Sequence, residues 1–269
     1  MENCIVVIPV HSEYPSANEL LSFKRCFTVL SAYTIKVIAP KNIKLDQYKQ
    51  VVPDFETIYV KYKWLSSIEH YNKFKRSLSF YRLFDDFDYL LTYELDAYVF
   101  NDELRYWCEQ KPDYIGAPWF EGFSNPVSDQ LIGVGNSGFS LRNVSKCISI
   151  LKRIDALKIL VKLFGVSFVQ SFIKYLVKNS FFDFHKKLKD NFNLSELLNL
   201  SSVNEDFFWS AIVPIHFADF IPSNISEAIR FSFEVNPSLL FKMNDNKLPF
   251  GCHAWNRYEP EFWNRFIGS

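Results

Sequence analysis

Glu94 and Asp96 stand where an apolar run, Tyr89-Leu90-Leu91-Thr92-Tyr93, would otherwise continue through Leu95 into Ala97-Tyr98-Val99-Phe100. Charge inside a segment that favours burial needs a partner. In an extended chain residues two apart leave the same face, and two carboxylates so placed repel unless a cation joins them. Mn²⁺ and Mg²⁺ take oxygen ligands and tolerate a bound diphosphate, so the pair suits a metal and pyrophosphate platform. Taken alone, the same spacing also fits an exposed strand end. His253, in the loop Leu248-Pro249-Phe250-Gly251-Cys252-His253-Ala254-Trp255, is either a hydrogen-bonded core histidine or the third ligand of that site.

Three further groups could carry chemistry. Asn204-Glu205-Asp206 precedes Phe207-Phe208-Trp209, and Ser202 three residues before Glu205 has the spacing of a capping box. A carboxylate at such a helix start can also act as a general base, which makes Asp206 and Glu205 catalytic candidates. The scarce glycines, eight in all, concentrate in Gly133-Val134-Gly135-Asn136-Ser137-Gly138. There Asn136, Ser137 and Gly138 could meet sugar hydroxyls, or the stretch could simply be a turn entering a strand at Phe139-Leu141. Asn72, Lys75 and Arg76 share one helical face, which offsets diphosphate charge if it looks into a crevice and is a solvated surface otherwise. His11, just beyond the first apolar run, either lines a base pocket or ends a strand.

These groups need a scaffold to bring them together, and the hydrophobic pattern supplies one. Cys4 to Val10 and Ile35 to Ala39 read as buried strands, as do Tyr89 to Tyr93 and Tyr114 to Gly116. Ser16 with Glu19 and Ser66 with Glu69 have capping-box spacing, and helices follow each, the second running through Tyr71, Phe74, Leu78 and Tyr81. Asp102 is the expected cap of a short helix through Leu104, Tyr106 and Trp107. The alternation predicts an α/β fold with an open, mostly parallel central sheet and a ligand site beyond the carboxyl ends of its strands. No linker or repeat divides the chain, so residues 1–269 read as one domain, with 145–200 as a basic helical insertion.

Composition narrows the partners. With 30 Lys+Arg, 30 Asp+Glu and 48% hydrophobic residues, the 269-residue chain is neutral and large enough for a substantial core. A neutral protein lacks the basic face of a nucleic-acid binder. No Walker or GxGxxG motif is present. The five cysteines are scattered, and no leader or uncharged apolar run of about 18 residues occurs, which together suggest reduced thiols and a cytoplasmic protein. One stretch departs from neutrality: between Leu151 and Asp190, Lys152, Arg153, Lys158, Lys162, Lys174, Lys178, Lys186, Lys187 and Lys189 face only Asp155, Asp183 and Asp190. Either the lysines are solvated while Leu160, Phe164, Phe168 and Phe172 join the core, or this surface rests on anionic lipid at the inner face of the membrane.

In chain order, Ile8-Pro9-Val10, Tyr71-Asn72, Leu95 to Phe100, Tyr114 to Trp119, Gly135 to Arg142, Asn204 to Asp206 and Leu248 to Trp255 resemble an uncharacterised-domain family of microbial proteins associated with GT-A type glycosyltransferases. The resemblance implies a GT-A-like fold and a metal-dependent transferase that moves a sugar from a nucleotide-sugar donor, UDP-linked by expectation, to a glycan or lipid-linked glycan acceptor in cell-surface polysaccharide synthesis. It implies Asp96, Glu94 and His253 as ligands of Mn²⁺ or Mg²⁺, although the first acid is Glu where Asp is usual. Asp206, with Glu205, takes the place of the acidic base of inverting members. Donor contacts are expected from Pro9, Val10, His11, Asn72, Arg76 and Leu95, and sugar or acceptor contacts from Asn136, Ser137, Gly138, Trp119 and Trp255. The competing reading is a noncatalytic nucleotide-sugar or glycan-binding module. A nucleotidyltransferase would want a glycine- and lysine-rich loop that Pro9-Val10-His11-Ser12-Glu13 does not offer.

Overall fold

The structure, a computed structural model, describes residues 3–178, 192–198 and 203–268. Strand β1 (Cys4–Pro9) is buried along its whole length, as a strand covered on both faces must be. Helix α1 (Ala17–Val29) follows, opened by the capping box in which Ser16 accepts from Glu19 N and Glu19 accepts from Ser16 N. Then come β2 (Thr34–Pro40), α2 (Asp46–Val51), β3 (Glu56–Val60), α3 (Ile68–Lys75), α4 (Leu78–Tyr81) and β4 (Tyr89–Tyr93). After β4 the chain forms β5 (Tyr98–Val99), α5 (Leu104–Glu109), β6 (Tyr114–Ile115), β7 (Pro118–Phe120), β8 (Leu131–Val134) and β9 (Phe139–Asn143).

The central sheet has the order β3-β2-β1-β4-β9-β6. Its first four strands are parallel, and β9 runs antiparallel between β4 and β6. The expected open, mostly parallel α/β sheet is therefore present. Alternation along β1 sends Ile5 and Val7 into a core with α3, α4 and the later helices, and Val6 and Ile8 into a second core with α1 and α5. A third, aromatic cluster holds Phe233, Trp255, Phe262 and Trp263 around a small sheet of β5 with β10 (Ser232–Phe233) and β11 (Gly251–Cys252).

The remaining described helices are α6 (Val144–Phe164), α7 (Val166–Lys178), α8 (Leu194–Leu198) and α9 (Glu205–Phe207), then short ones from residue 213 onward. Helix α9 runs on through a π-helical turn, Phe208–Ile212, an irregularity common beside functional sites.

Several local expectations are corrected. The second capping box is displaced by one residue: Ser67, not Ser66, accepts from His70 N, and Glu69 pairs with Lys73 instead. Ser77 caps a new start, so the single helix expected through Tyr81 is two, α3 and α4. Asp102 does not cap α5 but accepts from the Tyr33 hydroxyl. Helix α9 has Asn204 at its N-cap without a side-chain cap bond, while Ser202 lies outside the described residues. Cys4 and Cys108 are paired across 104 residues, a proximity invisible in the sequence, and Cys26, Cys147 and Cys252 are free and buried. Leu160, Phe164, Phe168 and Phe172 are exposed, because α6 and α7 bury Ile150, Leu151, Ile154, Leu157, Val169 and Ile173 instead. His185, Lys186, Lys187, Lys189, Asp183 and Asp190 lie outside the described residues.

Gly251 tests the packing between cores. A Cβ built there would lie 2.3 Å from Cζ of Phe139, whose ring is held between Phe231 and Phe250. Gly251→Ala is expected to destabilise the fold by about 1–3 kcal/mol, read from the urea midpoint.

Candidate active site

Beyond the carboxyl ends of β1 and β4 the chain encloses a cavity of about 590 Å³. This is where open α/β sheets bind ligands. Pro9 and His11 line it from β1, Ser16 and Glu19 from the start of α1, and Glu94, Leu95 and Asp96 from the end of β4. Glu94 to Ala97 is a turn, closed by Ala97 N donating to Glu94 O, rather than the extended segment expected. The turn still leaves both carboxylates on the cavity. Among the described residues the lining carries Glu19, Glu94 and Asp96 but no Lys or Arg.

His253 meets this acidic pair from β11. Its Nε2 lies 3.1 Å from Asp96 Oδ1 and 3.9 Å from Glu94 Oε2, and one ligand atom from each of the three residues falls within 4.8 Å of the others. On the far side of the ring Nδ1 is 2.9 Å from Glu234 Oε1. A carboxylate only accepts, so Nδ1 donates to Glu234, while Nε2 faces Asp96 either as a second N–H donor in the charged ring or as a lone pair open to a metal ion. Two acceptors 3.1 Å apart repel unless a proton or a metal ion sits at Nε2. Burial alone would lower the His253 pKa, but Asp96 and Glu234 outweigh it and hold the ring well above its ordinary value. Burial likewise would raise Asp96, yet the charge and hydrogen bond of His253 leave it below the usual carboxylate range. Two carboxylates and an imidazole whose other nitrogen is fixed by a third carboxylate suit a borderline-hard divalent ion.

Glycine makes this approach possible. A Cβ on Gly138 would fall 2.1 Å from His253 Nε2, and one on Gly135 would fall 2.0 Å from the Trp119 ring. The glycine cluster thus admits two rings, with Gly138 packed against His253. Asn136 is buried too, its Oδ1 accepting from Gly138 N and Phe139 N to hold the turn.

Beneath the acidic pair lies a buried charge network. Lys75 Nζ, fully buried, is 3.1 Å from Glu94 Oε1 and 3.0 Å from Glu205 Oε2, and it also donates to Ser137 O and Oγ. Arg142 Nη2 closes the network at 2.7 Å from Glu205 Oε1. The expected helical face of Asn72, Lys75 and Arg76 is therefore neither solvated nor on the cavity. Asn72 accepts from Glu205 N and donates to Asn204 Oδ1, which fastens the start of α9. Arg76, half-buried, donates to Asn72 O and lies over Phe208. Val10, just past β1, is buried, and Ser137, partly exposed, takes part in the charge network.

Glu205 and Asp206 separate by role. Glu205 is fully buried between Lys75 and Arg142, so it cannot reach an acceptor, and its assignment as a catalytic residue is corrected. Asp206 lines a second cavity of about 460 Å³ with Trp119, Phe207, Glu234, Arg257 and Tyr258. Burial first, then the charge of Glu205, pushes its pKa up to about 6. Trp119 stacks on Phe207 at 5.9 Å between centroids. Trp255 does not join this wall; it is buried against Tyr98 in the aromatic cluster. Glu234, Arg257 and Tyr258 were not singled out in the sequence. Only Glu234 had a usable signal, an acid interrupting the apolar run Phe231 to Val235.

The sequence profile of the family described as "Protein of unknown function (DUF5672)" matches residues 54–253, three quarters of the chain, and the chain belongs to that family. No curated protein matches it in sequence. Among solved structures, galactosyltransferase LgtC in complex with donor and acceptor sugar analogs is similar at 13% identity and a TM-score of 0.51, covering 98% of this chain and 95% of that one. Glycosyltransferase GlyE of Streptococcus pneumoniae TIGR4 is similar at 14% identity and a TM-score of 0.43, over 100% of this chain and 61% of that one. Core-mannan synthase A of Aspergillus fumigatus, in its Mn/GDP form, is similar at 10% identity and a TM-score of 0.41; it aligns over 58% of this chain, which spans 64% of that length. The LgtC likeness gives the chain a GT-A glycosyltransferase fold.

Adjacent residues of α9 should behave oppositely. Glu205→Gln leaves buried Lys75 and Arg142 short of a charge partner and is expected to cost about 3–5 kcal/mol in urea denaturation. Asp206 has a folded pKa above its unfolded value, so its ionised form is penalised in the fold at neutral pH. Asp206→Asn should therefore raise the thermal midpoint at pH 7.5, with the gain fading below about pH 4, where both states are protonated. Gly138→Ala should keep the fold but abolish stabilisation by Mn²⁺ in a thermal melt, because the His253 ring must move.

Proposed function

We propose that this DUF5672 protein is a metal-dependent glycosyltransferase, with residues 1–269 working as one catalytic domain that carries 145–200 as an insertion. The observation that carries the reading is a cavity at the sheet switch point lined, among the described residues, by three carboxylates and no Lys or Arg, with His253 against two of them. A diphosphate enters such a cavity only with a counter-cation. Asp96, His253 and Glu94 would hold a Mn²⁺ or Mg²⁺ ion, which when bound supplies the charge that a departing nucleoside diphosphate needs.

The donor then occupies the cavity between Pro9, His11, Leu95 and Tyr71, and the acceptor lies in the second cavity against Trp119 and Phe207. Aromatic faces with nearby carboxylates suit a sugar ring, whose C–H face packs on the ring while its hydroxyls donate to Asp206 and Glu234. Asp206 takes the proton from the attacking hydroxyl. A carboxylate with a pKa near 6 is a better base than an ordinary aspartate and is still ionised at neutral pH. Attack in a single displacement inverts the anomeric carbon. Glu205 and Asn72 hold the backbone of Asp206 in place, and Glu234 holds the His253 ring. A glycan or lipid-linked glycan destined for the cell surface is the acceptor class in this reading.

A thermal-shift panel of UDP- and GDP-sugars with and without Mn²⁺ tests the assignment. A nucleotide sugar at 100 times its Kd should stabilise the wild type by about 2.7 kcal/mol in Mn²⁺ and not in chelator. Asp96→Ala should abolish the Mn²⁺ dependence. Stabilisation that is indifferent to metal in both proteins sinks the metal assignment. Asp206→Asn should lower turnover by about 10²–10⁴-fold with donor affinity unchanged, and should remove an acid limb near pH 6 from the rate profile. Donor binding without any slow release of free nucleotide would favour the noncatalytic binding module.

A further inference from the structure

Among the described residues, nothing covers a large apolar face of helices α6 and α7. The buried stripe of α6, from Val144 to Leu157, stops two turns before the helix does. Past it Leu163 is 67% exposed and Phe164 57%. Gly165, at φ 83°, turns the chain into α7, where Phe168 is 58% exposed and Tyr175 57%. The rings of Phe164, Phe168 and Phe172 follow one another at 5.6 and 6.3 Å. An apolar patch of this extent marks an interaction surface rather than ordinary solvent contact.

The surrounding charge says what covers it. From Asp155 to Lys178 the sequence holds Lys158, Lys162, Lys174 and Lys178 against the single acid Asp155, which pairs with Lys158 at 3.0 Å. A second copy docked through the same face would set lysines against lysines, since a two-fold contact presents one patch to itself. An anionic lipid surface instead offers hydrocarbon to the rings and phosphate to the ammonium groups. No described helix is long and apolar enough to cross a membrane, so the contact is one that lies in the interface plane.

We propose that the α6–α7 face, through Leu163, Phe164, Phe168 and Phe172 with Lys158, Lys162 and Lys174, docks the protein on an anionic lipid bilayer. Flotation of the purified full chain with vesicles of phosphatidylcholine alone, or containing about one third phosphatidylglycerol, tests this directly. The chain should float with the anionic vesicles, remain behind with the neutral ones, and be released as salt rises. Changing Lys158, Lys162 and Lys174 to Glu, or Phe168→Ser alone, should cut the vesicle-bound fraction at least about tenfold while leaving the thermal midpoint and metal-dependent donor stabilisation unchanged. A wild-type chain that stays behind with anionic vesicles, or variants that float as well as it does, overturns the proposal. So does a dimer in sedimentation equilibrium that Phe168→Ser dissociates, because that outcome gives the face to a second copy.

Discussion

The organising constraint of this molecule is a surplus of negative charge gathered at one end of a neutral sheet. Glu94, Asp96, Glu205, Asp206 and Glu234 converge there; the two cations buried beneath them are Lys75 and Arg142, and Arg257 lines the second cavity beside Asp206 and Glu234. The two cations are fully buried and are spent on Glu205 and on one oxygen of Glu94. Asp96 and Glu234 are left to face the two nitrogens of His253, and Asp206 is left with a pKa raised toward neutrality. Burying charge is costly unless every group is answered, so an unanswered remainder of this kind marks where a ligand of opposite sign belongs.

The fold arranges this remainder with little freedom. Strand β4 brings Glu94 and Asp96 to the rim, and α3 carries Lys75 underneath them. Strand β9 contributes Arg142, while α9, tied down by Asn72, sets Glu205 inward and Asp206 outward. The glycines of the segment before β9 admit the rings of Trp119 and His253 where any side chain would collide. Charge below and ring contacts above therefore fix the same turn from both sides.

Much of this was legible in the sequence, for a physical reason: strands buried on both faces are continuous apolar runs, and an acid that interrupts one is conspicuous. The sheet, α1, the Glu94/Asp96 pair, His253 and Asp206 were all readable on that basis. The failures share another cause. Helical spacing tells which residues share a face, not whether the face turns inward, so the buried role of Lys75 and the bonding of Asn72 and Arg76 were hidden. Aromatic residues were hard to place for the same reason: Trp255 was taken for a ligand contact and is core, whereas for Phe164, Phe168 and Phe172 spacing left core and surface both open, and they are exposed. The glycines were read either as making room for a sugar or as a turn into a strand, and they also make room for the protein's own rings. Glu234 was visible by the argument that raised Glu94, and the Cys4–Cys108 pairing was visible by none.

In the proposed mechanism a divalent cation carrying a diphosphate completes the acidic surplus. Crystals soaked in Mn²⁺ with a nucleoside diphosphate, measured at a wavelength where manganese scatters anomalously, address it without recourse to activity. One anomalous peak is expected about 2–2.5 Å from both an Asp96 carboxylate oxygen and His253 Nε2, with the nucleotide's phosphates on the side of Pro9 and His11. A peak elsewhere, or a nucleotide bound in that cavity with no metal beside Asp96, would contradict it.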